Sequence, residues 1–207
     1  LNVGYIGAYT LAQFPEDVEV TIFKEPEIMI KAIRDESPDI VGVTYYVWSA
    51  NLASHILKIA KAHDPRILTV GGGPHFTSLN ANESTAMKFF NNEGTFCDVF
   101  VVNQGERGFV ELVTQFLDSD RNLLELRSRT VAGCLVNNLF SEQAVQIGQL
   151  LDGIFTLDEI PSPYLTGLMD KFFDGKLCPT IQTNRGCPFH CTFCTDGRDS
   201  VNIVNNF

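Results

Sequence analysis

Cys187, Cys191 and Cys194 form a C-x3-C-x2-C run, Cys187-Pro188-Phe189-His190-Cys191-Thr192-Phe193-Cys194, preceded by Asn184-Arg185-Gly186. Three thiols packed so closely must converge on something. Cysteine thiolates are the usual ligands of an iron–sulfur cube, and a [4Fe–4S] cluster held by only three of them keeps one iron open. An open coordination position is what separates a reactive metal site from a structural one. The alternative is zinc, with His190 or Cys178 as fourth ligand. Structural zinc sites usually come as two separated pairs, and no second pair occurs in this sequence. The Gly, Pro, His and Thr around the thiols read as loop, which argues against inert core cysteines. The spacing therefore favours iron–sulfur over zinc.

Composition bounds the rest. Of the 207 residues 44% are hydrophobic, enough for a sizeable core in one large domain or in one domain plus part of another. The formal net charge is −10, which disfavours broad nucleic-acid binding, since that needs a basic face. No apolar run reaches the ~18 residues a bilayer span requires, and no secretory leader pattern is visible. Outside the triad, Cys97, Cys134 and Cys178 lack ligand spacing. They are expected to be buried thiols in a reducing cytosol, hence a cytoplasmic location.

The elements that must position the thiols read as an α/β pattern. Residues 1–13 favour a helix weakened by Gly4 and Gly7, which puts the first strand of the sheet upstream of residue 1. Residues 18–23 alternate apolar and polar, as a strand does. Glu25-Pro26 opens a helix that ends near Ser37-Pro38. Residues 39–47 form a β-prone run suited to a strand buried on both faces. Ser49 is the expected N-cap of a helix with Leu52, Ile56 and Ile59 on its apolar stripe. Residues 66–70 form a strand that runs into Gly71-Gly72-Gly73-Pro74-His75, followed by a helix to about residue 91. Residues 97–103 form another buried strand, ending in Gln104-Gly105-Glu106, and residues 108–118 a helix. This order predicts a doubly wound, mainly parallel, Rossmann-like sheet, which binds ligands at the C-terminal ends of its strands. Beyond it, residues 131–136 and 139–140 suggest a small hairpin, and residues 158–164 a proline-stiffened linker. A short helix is expected over 165–173. A strand over 177–183 would deliver the chain into the cysteine loop, the place where a β/α barrel puts its chemistry.

These motifs together resemble the N-terminal part of a radical S-adenosylmethionine (SAM) enzyme with a cobalamin-binding domain. The resemblance rests on the cysteine run, the glycine turns after two strands, the Pro161-Ser162-Pro163-Tyr164 linker and Arg185-Gly186. It implies a cobalamin-binding-type domain over residues 1–125, a hairpin and linker over 126–175, and the start of a radical SAM barrel over 176–207. It implies that Cys187, Cys191 and Cys194 hold a [4Fe–4S] cluster whose open iron binds and reductively cleaves SAM. Phe193 would lie against the adenine. Thr44, Tyr45, Gly72, Gly73, Pro74, Gln104, Gly105 and Glu106 would line the corrin surface, or be simple turn residues of a domain without its cofactor. An Asp-x-His-x-x-Gly loop, the source of a lower axial histidine in some such domains, does not occur. The expected activity of the whole enzyme is methyl transfer or related radical chemistry on a small-molecule or unknown substrate, with an electron donor such as flavodoxin or ferredoxin. The chain alone is expected to be inactive, since most of the barrel would lie past residue 207. The runners-up are a methylthiotransferase or cyclase with an empty α/β domain, a non-catalytic cobalamin-binding module, and a zinc-stapled interaction protein.

Overall fold

The computed structural model describes residues 1–76, 80–138, 144–154, 156–176, 178–187, 189 and 191–194. The chain forms two compact units, one of Phe23–Gly153 and one of Leu1–Ile22 with the described residues from Ile154 onward.

In the smaller unit α1 spans Asn2–Gln13, and its buried side is made of the small residues Gly4, Gly7, Ala8 and Thr10. Residues 18–23, expected as a strand, are not part of any strand of the described residues. Their alternating apolar side chains serve a different contact: Val20 and Ile22 pack against the Gly7 face of α1. Residues 165–173, expected as a helix, form turns and a 3-10 turn at Asp170–Phe172. Gly167, at φ +77°, interrupts the helical path. Residues 178–183 also form no strand, and Leu177 lies outside the described residues. Tyr164 holds this segment instead: its hydroxyl donates to the Thr180 carbonyl (2.9 Å) and accepts from the Thr180 N–H (3.2 Å). Without a sheet to cover it, Cys178 is exposed rather than buried.

The larger unit begins with α2 (Pro26–Glu36), whose proline sits in the first turn, where its missing N–H costs nothing. Then come β1 (Ile40–Thr44), α3 (Ala50–His63), β2 (Leu68–Gly72), α4 (Glu83–Asn91), β3 (Val99–Val101), α5 (Gly105–Asp118), α6 (Leu123–Ser128), β4 (Cys134–Asn137) and β5 (Val145–Ile147). The sheet order is β1-β2-β3-β4-β5. The first three strands are parallel, and the β4–β5 hairpin extends the sheet antiparallel from β3. The expected hairpin is therefore part of the main sheet. Its second strand is β5; residues 139–140, where that strand was expected, lie outside the described residues. The short helix α6 is capped by Asn122, whose side chain accepts from the Leu124 and Glu125 N–H groups.

Two cores flank the sheet. On one face Val41, Tyr45, Phe100 and Leu135 pack against Ala53, Ile56 and Leu57 of α3 and Phe89 and Phe90 of α4. On the other, Leu68, Val70, Val99, Val101 and Val136 meet Leu112 and Phe116 of α5 and Leu126 of α6. Helices on both faces of a sheet with a parallel core make a doubly wound fold.

One buried anion ties the N-terminal ends of β2 and β3. Asp98, 2% exposed, accepts from the Thr69 N–H (2.9 Å) and hydroxyl (2.8 Å). It also pairs with Lys61 at 2.5 Å and with Arg127. The strand expected over 97–103 is confined to Val99–Val101, and the Asp98 carboxylate just before it faces Lys61 of α3 and Arg127 of α6. Desolvation lowers the Lys61 pKa, and the Asp98 charge works against that shift. Among the described residues no helix is long and apolar enough to cross a membrane.

Candidate functional site

The C-terminal ends of β1, β2 and β3 lie side by side. The register pairs Thr44 with Gly72 and Gly72 with Val101, so these three residues form the rim at which doubly wound sheets bind ligands. The Tyr45 N–H donates to the Gly72 carbonyl (2.7 Å) and extends the ladder by one bond.

The consecutive glycines have separate tasks. A Cβ on Gly71 would fall 2.8 Å from the Phe100 ring, so Gly71 belongs to the core. A Cβ on Gly72 would meet only the Val101 carbonyl oxygen, at 3.9 Å. At this position bare backbone faces open space. Gly73 has φ +109°, and a Cβ there would be 3.0 Å from both the Thr44 Cγ2 and the Tyr45 carbonyl oxygen. Gly73 is therefore demanded by the turn, and Gly72 leaves room for something pressed flat against the strand ends. Pro74, next in line, is exposed.

Tyr45 is placed differently from the expectation. Its side chain is fully buried, with its ring 5.3 Å from Phe89 and 5.8 Å from Phe100. Burial pushes its phenol pKa up, so it is a neutral core group and only its backbone reaches the rim. Glu106 is likewise 3% exposed. It belongs not to a loop but to the first turn of α5, which starts three residues earlier than the periodicity indicated. A carboxylate there faces the positive end of the helix dipole. Gln104 is the exposed N-cap residue and Gly105 the first helical one. Asn103 turns the chain into α5 with φ +60°, a conformation asparagine tolerates better than most residues.

The sequence reading missed the turn after β1. There Val47 is 91% and Trp48 82% exposed, and Trp48 stacks on Tyr46 with centroids 4.8 Å apart and planes at 13°. Ser49 does not cap α3 through its side chain. Its hydroxyl donates to the Thr44 carbonyl (3.2 Å) and accepts from the Tyr46 N–H (3.1 Å), fixing this turn. The signal was the aromatic run 45–48, which the β-propensity of the whole stretch concealed. A flat apolar surface beside bare backbone is what a large planar ligand with polar edges requires.

The cysteine run lies in the smaller unit. Cys187 and Cys194 are half-buried, Cys191 is exposed, and Phe193 is 92% exposed. The Cys194 N–H donates to the Cys191 carbonyl (3.1 Å); Pro188 and His190 lie outside the described residues. The donor set has the right chemistry for a cluster. Yet among the described residues no group of three His, Cys, Asp or Glu side chains is gathered so as to hold a metal.

Comparison with known proteins gives the chain its family. The chain is 27% identical over 196 residues to the cobalamin-dependent radical SAM methyltransferase TokK of Streptomyces tokunonensis, covering 89% of this chain and 27% of that protein. It is 28% identical over 196 residues to 2-(S-pantetheinyl)-carbapenam-3-carboxylate methyltransferase of Streptantibioticus cattleyicolor, with the same coverage, 89% and 27%. It is 26% identical over 178 residues to the anaerobic magnesium-protoporphyrin IX monomethyl ester cyclase of Cereibacter sphaeroides, covering 85% of this chain and 27% of the cyclase. The chain thus spans about a quarter of the length of these relatives. The family model of the B12 binding domain matches residues 5–113, which include β1 to β3, both rim turns and the bare backbone of Gly72. With the fold and the rim in agreement, the chain belongs to the B12 binding domain family.

Proposed function

We propose that the chain is the cobalamin-binding part of a radical SAM enzyme that transfers methyl groups. One observation carries the binding half of this reading: the open Cβ direction of Gly72 between Thr44 and Val101, at the ligand edge of a B12-type domain. Bound cobalamin carries a methyl group for transfer. The residues of this chain hold and orient it. Thr44, Gly72 and Val101 form the floor, Gly73 and Pro74 turn the chain away from it, Trp48 and Val47 offer apolar cover, and Gln104 and Gly105 stand at the far rim. The radical half is supported by the C-x3-C-x2-C spacing and by the name of one relative. The kinship to a cyclase supports a second outcome, ring closure in place of methyl transfer.

The two halves are tested separately. Titration with hydroxocobalamin, followed by the visible spectrum, is expected to saturate at one equivalent; no spectral change would refute cobalamin binding. Anaerobic reconstitution with iron and sulfide, read by EPR and by 5′-deoxyadenosine release from SAM, tests the radical half in the whole protein. Cys191→Ala is expected to release none. Release equal to wild type would remove the cysteine run from the reading.

A further inference from the structure

The family match stops at residue 113, yet the turn that opens α5 is held by residues well beyond it. After β5 the chain returns along the start of β4 to the N-terminus of α5. The Gly133 N–H donates to the Gln149 carbonyl (2.7 Å). The Leu151 Cδ1 lies 3.1 Å from the Cβ direction of Gly133. Arg107 Nη1, in the first turn of α5, donates to the Asp152 carbonyl (3.4 Å). At Gly153 a Cβ would fall 2.7 Å from both the nitrogen and the oxygen of the Gln104 carboxamide. The Gln104 side chain therefore lies directly against the Gly153 backbone. Gln104 is also the N-cap residue of α5, at the ligand end of β3.

We propose that residues 149–153 are a positioning strap for the cobalamin site, in which Gly153 seats the Gln104 carboxamide so that it hydrogen-bonds an amide group on the corrin edge. This rests on the cobalamin reading above. Cobalamin carries primary amides around its ring, and a carboxamide can donate and accept in the same contact. Gly153 does not lie in the left-handed region, so conformation does not demand glycine there. Close approach does. The three nearest atoms that an alanine at 153 would meet belong to the far end of the Gln104 side chain and not to backbone, so folding is expected to be little affected while the carboxamide moves. That separates positioning from stability.

The test uses the full chain and hydroxocobalamin, with visible titration and thermal unfolding on wild type, Gly153→Ala, Gln104→Ala and the double variant. Each single variant is expected to weaken binding about three- to tenfold, the range of one hydrogen bond, with the melting temperature of Gly153→Ala close to wild type. The double variant is expected to bind no worse than Gln104→Ala, because Gly153 acts only through that side chain. Wild-type affinity in Gly153→Ala overturns the proposal, and so do additive losses in the double variant. A loss of binding that merely follows a lowered melting temperature overturns it too, since the strap would then be only structural. If wild type itself binds no hydroxocobalamin, the cobalamin reading fails first and the strap's role falls with it.

Discussion

Gly72 and Gly73 are adjacent, yet replacing them should give opposite results. In Gly72→Val the first added carbon meets only the Val101 carbonyl oxygen at 3.9 Å, so the fold has room for it. The two further methyl groups then stand where a macrocycle would rest. Suppose the ring makes about 40 atom contacts with the floor, as a buried leucine does, at ~0.15 kcal/mol each, for about 6 kcal/mol. A forced gap of 0.5–1 Å forfeits about a quarter to a half of this, about 1.5–3 kcal/mol. That corresponds to a roughly 10- to 150-fold rise in the hydroxocobalamin Kd. In Gly73→Ala the added carbon is pressed to 3.0 Å from the Tyr45 carbonyl oxygen, at φ +109°. Such strain costs about 1–3 kcal/mol of stability, or about 1 M in urea midpoint if m is about 2 kcal/mol/M. The assays are a hydroxocobalamin titration and urea unfolding followed by circular dichroism, on both variants. Unchanged affinity in Gly72→Val, with its urea midpoint intact, would refute the placement of the ligand over Gly72. A wild-type midpoint in Gly73→Ala would refute the division of labour between the two glycines.

Two other outcomes follow from the interior. Asp98→Asn removes the anion facing Lys61 and Arg127, and breaking a buried pair of this kind costs about 3–5 kcal/mol. The urea midpoint is expected to fall by about 2 M, and a shift below about 0.5 M would show that the cluster contributes little. Burial pushes the Cys97 and Cys134 thiols well up from their usual range, so iodoacetamide at pH 8 should modify Cys178 and Cys191 in the folded protein and spare these two until denaturant is added. Mass spectrometry reads this directly, and early modification of Cys97 would contradict the packing around Gly71.

The sheet was largely legible because its signals are local. The run 39–47, the strand entering Gly71-Gly72-Gly73 and the Pro26 start each carry their own cause, and β1, β2 and α2 lie close to where those signals put them. The errors arose where tertiary contacts override local pattern. Residues 18–23 alternate like a strand but pack on a helix, and Leu123–Ser128 forms a helix whose only local cue was Asn122. The position of two rim residues was readable too, since Gly72 ends β2 and Gly105 follows β3 at the start of α5. That Tyr45 points inward while Trp48 points outward depends on which face of β1 meets Phe89 and Phe100, and the chain order does not contain that. The contact of Gly153 with Gln104 joins positions too far apart in sequence for any local pattern to reveal it.

The Asp98 cluster gives the sheet a mechanical polarity. At the N-terminal ends of the parallel strands, one carboxylate bonds to β2 and pairs with α3 and α6. At the opposite ends the strands finish in Thr44, Gly72 and Val101, followed by turns with exposed aromatics or positive φ. Amide hydrogens of Thr69 and Asp98 should therefore exchange only through global opening, and those of Gly73 and Asn103 through local fluctuation. Such a sheet is clamped at its base and compliant at its mouth. The mouth can then adjust to a bulky macrocycle by moving its turns, while the registry of the strands stays as it is.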